Sequence, residues 1–237
     1  MRVFVQPCPC DPPTDPPADD EVHVWSVDFG RLPVGPGELA AALTPDEHDR
    51  AARYRMAKVR DQFVACRGLL RRVLGGYTRT DPRAVPITYH QAGKPVLATA
   101  AVEFNLTHTD GLALIAVGRR RLGIDVERLR AVPDADGLVE RFFSPAERAA
   151  YRAVAADRRP AAFLRGWTCK EAVIKAVGTG VLALDGFDVE LAPDRPPAVL
   201  AVRHAAFVGT RWAVGVWEPA AGFTAALAVE GEPELVW

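Results

Sequence analysis

Three acids in two short segments are the residues of this chain best suited to chemistry. The first segment, Leu122-Gly123-Ile124-Asp125-Val126-Glu127, alternates apolar and acidic side chains. On a strand, residues two apart share a face, so Ile124 and Val126 point to a core while Asp125 and Glu127 project together. Their roots then stand roughly 7 Å apart. At an effective dielectric of about 20, two like charges at that spacing repel by about 2 kcal/mol. A solvated strand face tolerates such a pair. A partly buried pair needs a cation, and an all-oxygen donor set favours magnesium or calcium. The second segment is Trp167-Thr168-Cys169-Lys170-Glu171-Ala172-Val173-Ile174-Lys175. At about 100° per helical residue, Glu171 shares a stripe with Trp167 and Ile174, where a carboxylate is partly dehydrated and needs a partner. An ordinary Glu171–Lys175 pair one turn apart is the simpler account. Lys170 and Lys175 together also offer two cations to one anion.

Cations gather elsewhere. Between Arg50 and Arg79 the chain carries nine Lys or Arg and one acid, Asp61, against a net charge of -1 overall. Arg60, Arg67 and Arg71 line up on a helix beside its apolar stripe. Guanidinium forks placed there match phosphate oxygens; the same spacing also fits long side chains lying along a solvated face. Gly93-Lys94-Pro95 reads as a tight turn. Phe104-Asn105-Leu106-Thr107-His108-Thr109 runs from a strand into a polar loop, where Thr107 and His108 could donate to an anion or simply serve the turn. There is no Gly-x-Ser-x-Gly elbow and no Gly-x-x-x-x-Gly-Lys-Ser/Thr loop, which argues against a serine hydrolase and a P-loop nucleotidase. The basic stripe lacks the glycine-aromatic pattern of an RNA-binding motif, so nucleic acid is not an expected partner.

The elements that must carry these residues follow from patterning. Residues 22–28 alternate as a first strand. Thr44-Pro45-Asp46-Glu47 and Ser144-Pro145-Ala146-Glu147 both read as capping boxes with proline in the first turn. Helices are expected over residues 60–77, weakened at its end by Gly75-Gly76, over 137–143, and over 165–177, the last stopped by Gly178. Strands are expected near residues 85–89, 102–106, 112–117, 122–127, 187–191, 198–206, 212–217 and 224–229. Gly118-Arg119-Arg120-Arg121 suggests a hairpin joining 112–117 to 122–127. Residues 7–20 hold six prolines and four aspartates and read as an extended surface segment. The expected organisation is therefore α+β: an extended segment over 1–20, an α+β half over 21–119, and a second α+β half over 120–237 carrying the carboxylates. The repeated theme of capping box and long helix suggests an internal duplication. At 49% hydrophobic and 25% charged residues, the composition is that of a globular protein. No run approaches the roughly 20 apolar residues of a membrane helix, and the Pro- and Asp-rich start is no signal peptide. A cytoplasmic protein with no membrane partner is the expectation. Cys8, Cys10, Cys66 and Cys169 lack disulfide or zinc spacing and read as reduced thiols.

Taken in order, these segments resemble the larger, Sfp-type 4'-phosphopantetheinyl transferases. The resemblance rests on Gly93-Lys94-Pro95, Phe104–Thr109, Gly123-Ile124-Asp125-Val126-Glu127, Phe143-Ser144-Pro145-Ala146-Glu147 and Trp167-x-x-Lys170-Glu171-Ala172-x-x-Lys175 with Gly178-Thr179-Gly180. It covers roughly residues 44–190 of the chain. It implies two similar α+β halves about a pseudo-twofold with the active site between them, in a monomer. It implies coenzyme A as donor, an apo acyl or peptidyl carrier protein as acceptor through a serine, and magnesium as cofactor. By position, Asp125, Glu127 and Glu171 match the magnesium ligands. Lys170 and Lys175 match phosphate-contacting lysines, and Lys94, Thr107 and His108 match the segment that meets the nucleotide. Arg53 and Arg67, or Arg60 in place of either, fall in the basic region used for coenzyme A. Glu171 and Lys175 are the expected catalytic pair, Glu171 taking the serine proton directly or through a metal-bound water. Thr107 stands where serine is common, and Gln62-Phe63 replaces a basic pair found in some members. A carrier-docking patch is expected near residues 139–143, with Arg141 beside it. The same carboxylates and lysines would also serve a metal-dependent phosphodiesterase or pyrophosphatase, or a non-enzymatic coenzyme A-binding module.

Overall fold

The computed structural model describes residues 1–90, 93–99, 101–231 and 233–237. Two sheets form the centre. The first contains β1 (Arg2–Pro7), β2 (Glu21–Asp28), β5 (Glu103–Thr109) and β6 (Leu112–Gly118), in the order β1-β2-β6-β5. The second contains β7 (Leu122–Arg128), β10 (Trp212–Trp217) and β11 (Phe223–Glu230), in the order β10-β11-β7. Only the β1–β2 pairing within these sheets is parallel. Alternation explains how the sheets meet. Val22, Val24, Leu114 and Ala116 face Ile124, Val126 and Leu227 in one buried cluster, while the other faces of the strands receive helices.

The helices are α1 (Pro36–Ala41), α2 (Pro45–Ala52) and α3 (Ala57–Thr78), then α4 (Ala135–Phe142), α5 (Pro145–Ala153) and α6 (Arg159–Val177). Helix α3 covers Trp25, Phe104, Ile115 and Val117 of the first sheet; α6 packs against Ala226 and Ala228 of the second. Short hairpins follow each long helix, β3 (Ile87–Tyr89) with β4 (Pro95–Leu97), and β8 (Phe187–Val189) with β9 (Val199–Val202). The order strand, short helix, capped helix, long helix, hairpin, strand, strand therefore occurs twice. The sheet order β2-β6-β5 has its counterpart in β7-β11-β10. This is the α+β architecture expected from the patterning. Among the described residues no helix is long and apolar enough to cross a membrane.

Both capping boxes form. Thr44 accepts from the Glu47 N–H while Glu47 accepts from Thr44, and Ser144 and Glu147 repeat the exchange. Several expectations need correction. β6 and β7 are not a hairpin. Both edges of β6 are already taken by β2 and β5, so β7 joins β11 in the other sheet. The true hairpin joins β5 to β6, and Gly111 supplies its positive φ of 99°, a conformation most side chains avoid. Within the expected extended segment, residues 2–7 pair as a strand, and Cys8 beyond them is buried. α3 runs through Gly75-Gly76 to a left-handed cap at Arg79. A Cβ on Gly76 would overlap the Pro13 carbonyl, so that glycine admits the Pro-rich segment instead of ending the helix. α6 begins at Arg159, earlier than expected, with proline in its first turn, where a missing N–H costs nothing.

Candidate active site

The carboxylates come together because a helix can lie directly on a strand. A Cβ on Gly123 would run into the backbone of Ala172 and Lys175–Ala176, so glycine lets α6 touch β7. Two and four residues on, Asp125 and Glu127 leave the same face of β7, beside Glu171 and Lys175 of α6. Thr107 and His108 of β5 close the other side. Together with Leu106, Val126 and Trp167 these side chains line a cavity of about 390 Å³. The sequence-expected Asp125, Glu127, Glu171, Lys175, Thr107 and His108 are therefore all in one place.

Their electrostatics are strained. Asp125 is 4% exposed. Its Oδ1 accepts from Lys175 Nζ at 2.5 Å and from Thr107 Oγ1 at 3.0 Å. Its Oδ2 is buried with no hydrogen-bond partner, a costly condition for a carboxylate oxygen. Burial, then the charge of Asp125, holds the Glu127 carboxyl above its usual range. Burial also raises Glu171; Lys175 opposes that shift and the other two carboxylates add to it. His108 is pushed down by burial and by Lys175. The cluster thus holds more negative charge than one lysine neutralises, with an oxygen-only donor set suited to a hard cation. As they stand, no three such side chains among the described residues enclose an ion position.

A second cavity of about 330 Å³ shares Leu106 and His108 with the first. Its walls include Arg50, Tyr54, Phe63, Arg67, Tyr89 and the Gly93 turn. The Arg50 guanidinium lies 5.2 Å from the Phe63 ring centre, and Arg67 lies 5.7 Å from that of Tyr89. Cations beside flat rings suit a base and a phosphate. Arg67 also donates to the Tyr89 hydroxyl and to Glu47. Arg50, Tyr54, Phe63 and Tyr89 were missed by sequence reasoning. Their only signal was the four-residue spacing of Arg50 and Tyr54, and nothing local pairs that face with the β3–β4 hairpin.

Other expected residues lie elsewhere. Lys170 is fully buried; its Nζ donates to both Glu147 oxygens at 2.8 Å and to the Phe187 carbonyl at 2.6 Å. This corrects the expected phosphate contact: the ammonium is committed to holding α5 and β8 against α6. Arg71 plays the corresponding part for Glu47 in the other half, donating at 2.6 Å. Lys94 lines neither cavity. Its ammonium donates to the Leu122 and Ala176 carbonyls at 3.1 and 3.0 Å, tying the start of β7 to the end of α6. Arg53 is exposed, and Arg60 is exposed and paired with Asp61 at 3.2 Å; neither lines either of these two cavities.

An acidic cluster beside a cation–aromatic pocket suits a phosphate-bearing ligand, and the comparisons narrow the class. The profile of the 4'-phosphopantetheinyl transferase superfamily matches residues 121–228. The 4'-phosphopantetheinyl transferase HetI of Nostoc sp. is 40% identical over 190 residues, covering 78% of this chain and 80% of the relative. The 4'-phosphopantetheinyl transferase of Bacillus subtilis is 28% identical over 167 residues, covering 68% of this chain and 74% of the relative. A solved holo-(acyl-carrier-protein) synthase from Bacillus anthracis, in complex with CoA (3',5'-ADP), is 22% identical with a TM-score of 0.38, covering 47% of this chain and 96% of that one. The chain belongs to the 4'-phosphopantetheinyl transferase superfamily.

Proposed function

We propose that this enzyme transfers 4'-phosphopantetheine from coenzyme A to a serine of an apo acyl or peptidyl carrier protein, with magnesium, and that it is of the larger, Sfp-type kind. The carrying observation is that two neighbouring cavities, one acidic and one cationic and aromatic, share Leu106 and His108 in their walls. It suits one molecule holding a nucleotide at one end and a diphosphate at the other. The element order repeated within one chain supports the two-half, monomeric reading, with the division of halves near residue 120.

Asp125, Glu127 and Glu171 are the residues that would hold magnesium. The orphaned Asp125 Oδ2 and the raised carboxyls of the two glutamates fit that role. When bound, the ion would neutralise the diphosphate and stabilise the departing bisphosphate. The chain's own groups do the rest. Arg50 and Arg67 bind phosphate beside Tyr54, Phe63 and Tyr89, while Thr107 and His108 bridge to the diphosphate. Lys175 balances charge as the phosphoryl group moves. The serine oxygen bonds to the phosphorus that carries pantetheine, and the bond to the bridging oxygen breaks. Adenosine 3',5'-bisphosphate leaves, and the serine proton passes to Glu171, directly or through a water.

The direct test mixes the protein, coenzyme A and magnesium with several apo carrier proteins and reads carrier mass. One added phosphopantetheine per carrier is expected. Coenzyme A cleaved without a carrier would favour the phosphodiesterase reading instead, and binding without any product would favour the non-enzymatic module.

A further inference from the structure

The site is built across a seam that has no backbone ladder. Among the described residues β5 pairs only with β6 and β7 only with β11, so the strand carrying Thr107 and the strand carrying Asp125 belong to different sheets. Side chains join them. Asn105, 4% exposed, accepts the Ile124 N–H on Oδ1 at 2.9 Å. Two residues along the same face of β5, Thr107 donates to Asp125 Oδ1 at 3.0 Å. Ile124 lies between Gly123, over which α6 passes, and Asp125. The one N–H that Asn105 holds is therefore where β7 is pinned both under the helix and beside the acid. A neutral amide suits the place. It offers the acceptor a neighbouring strand would have given and adds no charge near Asp125 and Glu127.

We infer that Asn105 is a positioning residue: it sets β7 of one half against β5 of the other, and so the register of the carboxylates against Thr107 and His108. Its effect on turnover rests on the transferase reading above; its effect on the strand does not. Two variants separate the acceptor from the shape. Asn105→Leu keeps the branched shape and removes the acceptor, whereas Asn105→Gln keeps a neutral amide acceptor.

Hydrogen exchange over residues 122–128 and steady-state kinetics are measured on both. In Asn105→Leu, exchange over that stretch is expected to quicken about 10-fold, since an orphaned amide opens readily. kcat is expected to fall on the order of 10–100-fold, as for a misplaced catalytic group, with the carrier KM unchanged. Asn105→Gln should keep most of the protection and most of the turnover. Wild-type exchange in Asn105→Leu, or wild-type kcat despite lost protection, overturns the assignment. If Asn105→Leu does not fold, Asn105→Ala, which also lacks the acceptor, takes its place: quickened exchange with lowered kcat upholds the assignment, and a wild-type value of either overturns it. A wild-type protein inactive on every carrier would sink the transferase reading instead, leaving the exchange result to stand separately.

Discussion

Glu171 sits where three demands meet. Trp167 and Ile174, one turn away on either side, dehydrate it; Asp125 and Glu127 repel its charge; Lys175 partly relieves it. Its carboxyl is raised in the folded protein above the ordinary 4.5, so the charged form costs stability. That cost is fully present above the folded value and disappears as pH falls toward the unfolded one. Glu171→Gln should therefore raise Tm at neutral pH without added cation, by roughly 2–4 °C if about 1 kcal/mol is relieved. The gain should shrink as melts are repeated toward pH 4.5. The same variant should lose turnover by about 10²–10⁴-fold if Glu171 takes the serine proton; near-normal kcat would remove it from that role. Lys170 makes the opposite case. Losing its ammonium strands Glu147 as a buried charge, which typically costs about 3–5 kcal/mol. Lys170→Met should lower the denaturation midpoint sharply yet leave the coenzyme A KM of the folded fraction unchanged. A raised KM with normal stability would restore the phosphate contact.

At the scale of elements, the decisive contact is α6 on β7. Gly123→Ala inserts a methyl into the backbone of α6, and neither partner is the end of a flexible side chain. The helix must move, at about 1–3 kcal/mol of stability, and Glu171 and Lys175 move with it. A loss of about 100-fold in kcat/KM is expected, together with weaker magnesium binding by calorimetry; unchanged magnesium affinity would mean that the helix does not set the acidic cluster. The element types were largely readable. Capping boxes, the alternation in β2 and β7 and the long stripes of α3 and α6 are local signals, because hydrogen-bonding side chains and apolar periodicity act within a few residues. Pairing was not readable in the same way. The Gly118–Arg121 turn looks like a hairpin locally, but β6 has no free edge to offer. The role of Gly76 depends on Pro13, far away in sequence.

Across the whole molecule, the acceptor must reach a cleft that Trp167 helps to line. The docking patch expected at residues 139–143 is smaller than the sequence suggests. Val139 and Phe143 are core residues at 1% and 0% exposure. Phe142 is left partly exposed, 5.9 Å from the Trp167 ring centre, with the exposed Arg141 guanidinium 5.0 Å from its own ring. If a carrier docks there, Arg141→Ala and Phe142→Ala should each raise the carrier KM several-fold with the coenzyme A KM unchanged, and equal carrier KM values would move the docking surface elsewhere.

The chain's own sequence determined the chemistry available: which residues are acids, which strand and helix carry them, and that Gly-Ile-Asp-Val-Glu alternates between core and cleft. It did not determine which cations serve the site. Lys170 and Lys175 lie on one helix within the same motif, yet one neutralises a buried capping-box glutamate and the other faces the acidic cleft. Arg50 reaches the cavity while Arg53 and Arg60 do not. Those outcomes depend on what packs against each side chain across the seam between two sheets. Long, flexible cations take whichever buried anion the tertiary structure leaves within reach, and only the folded chain says which that is.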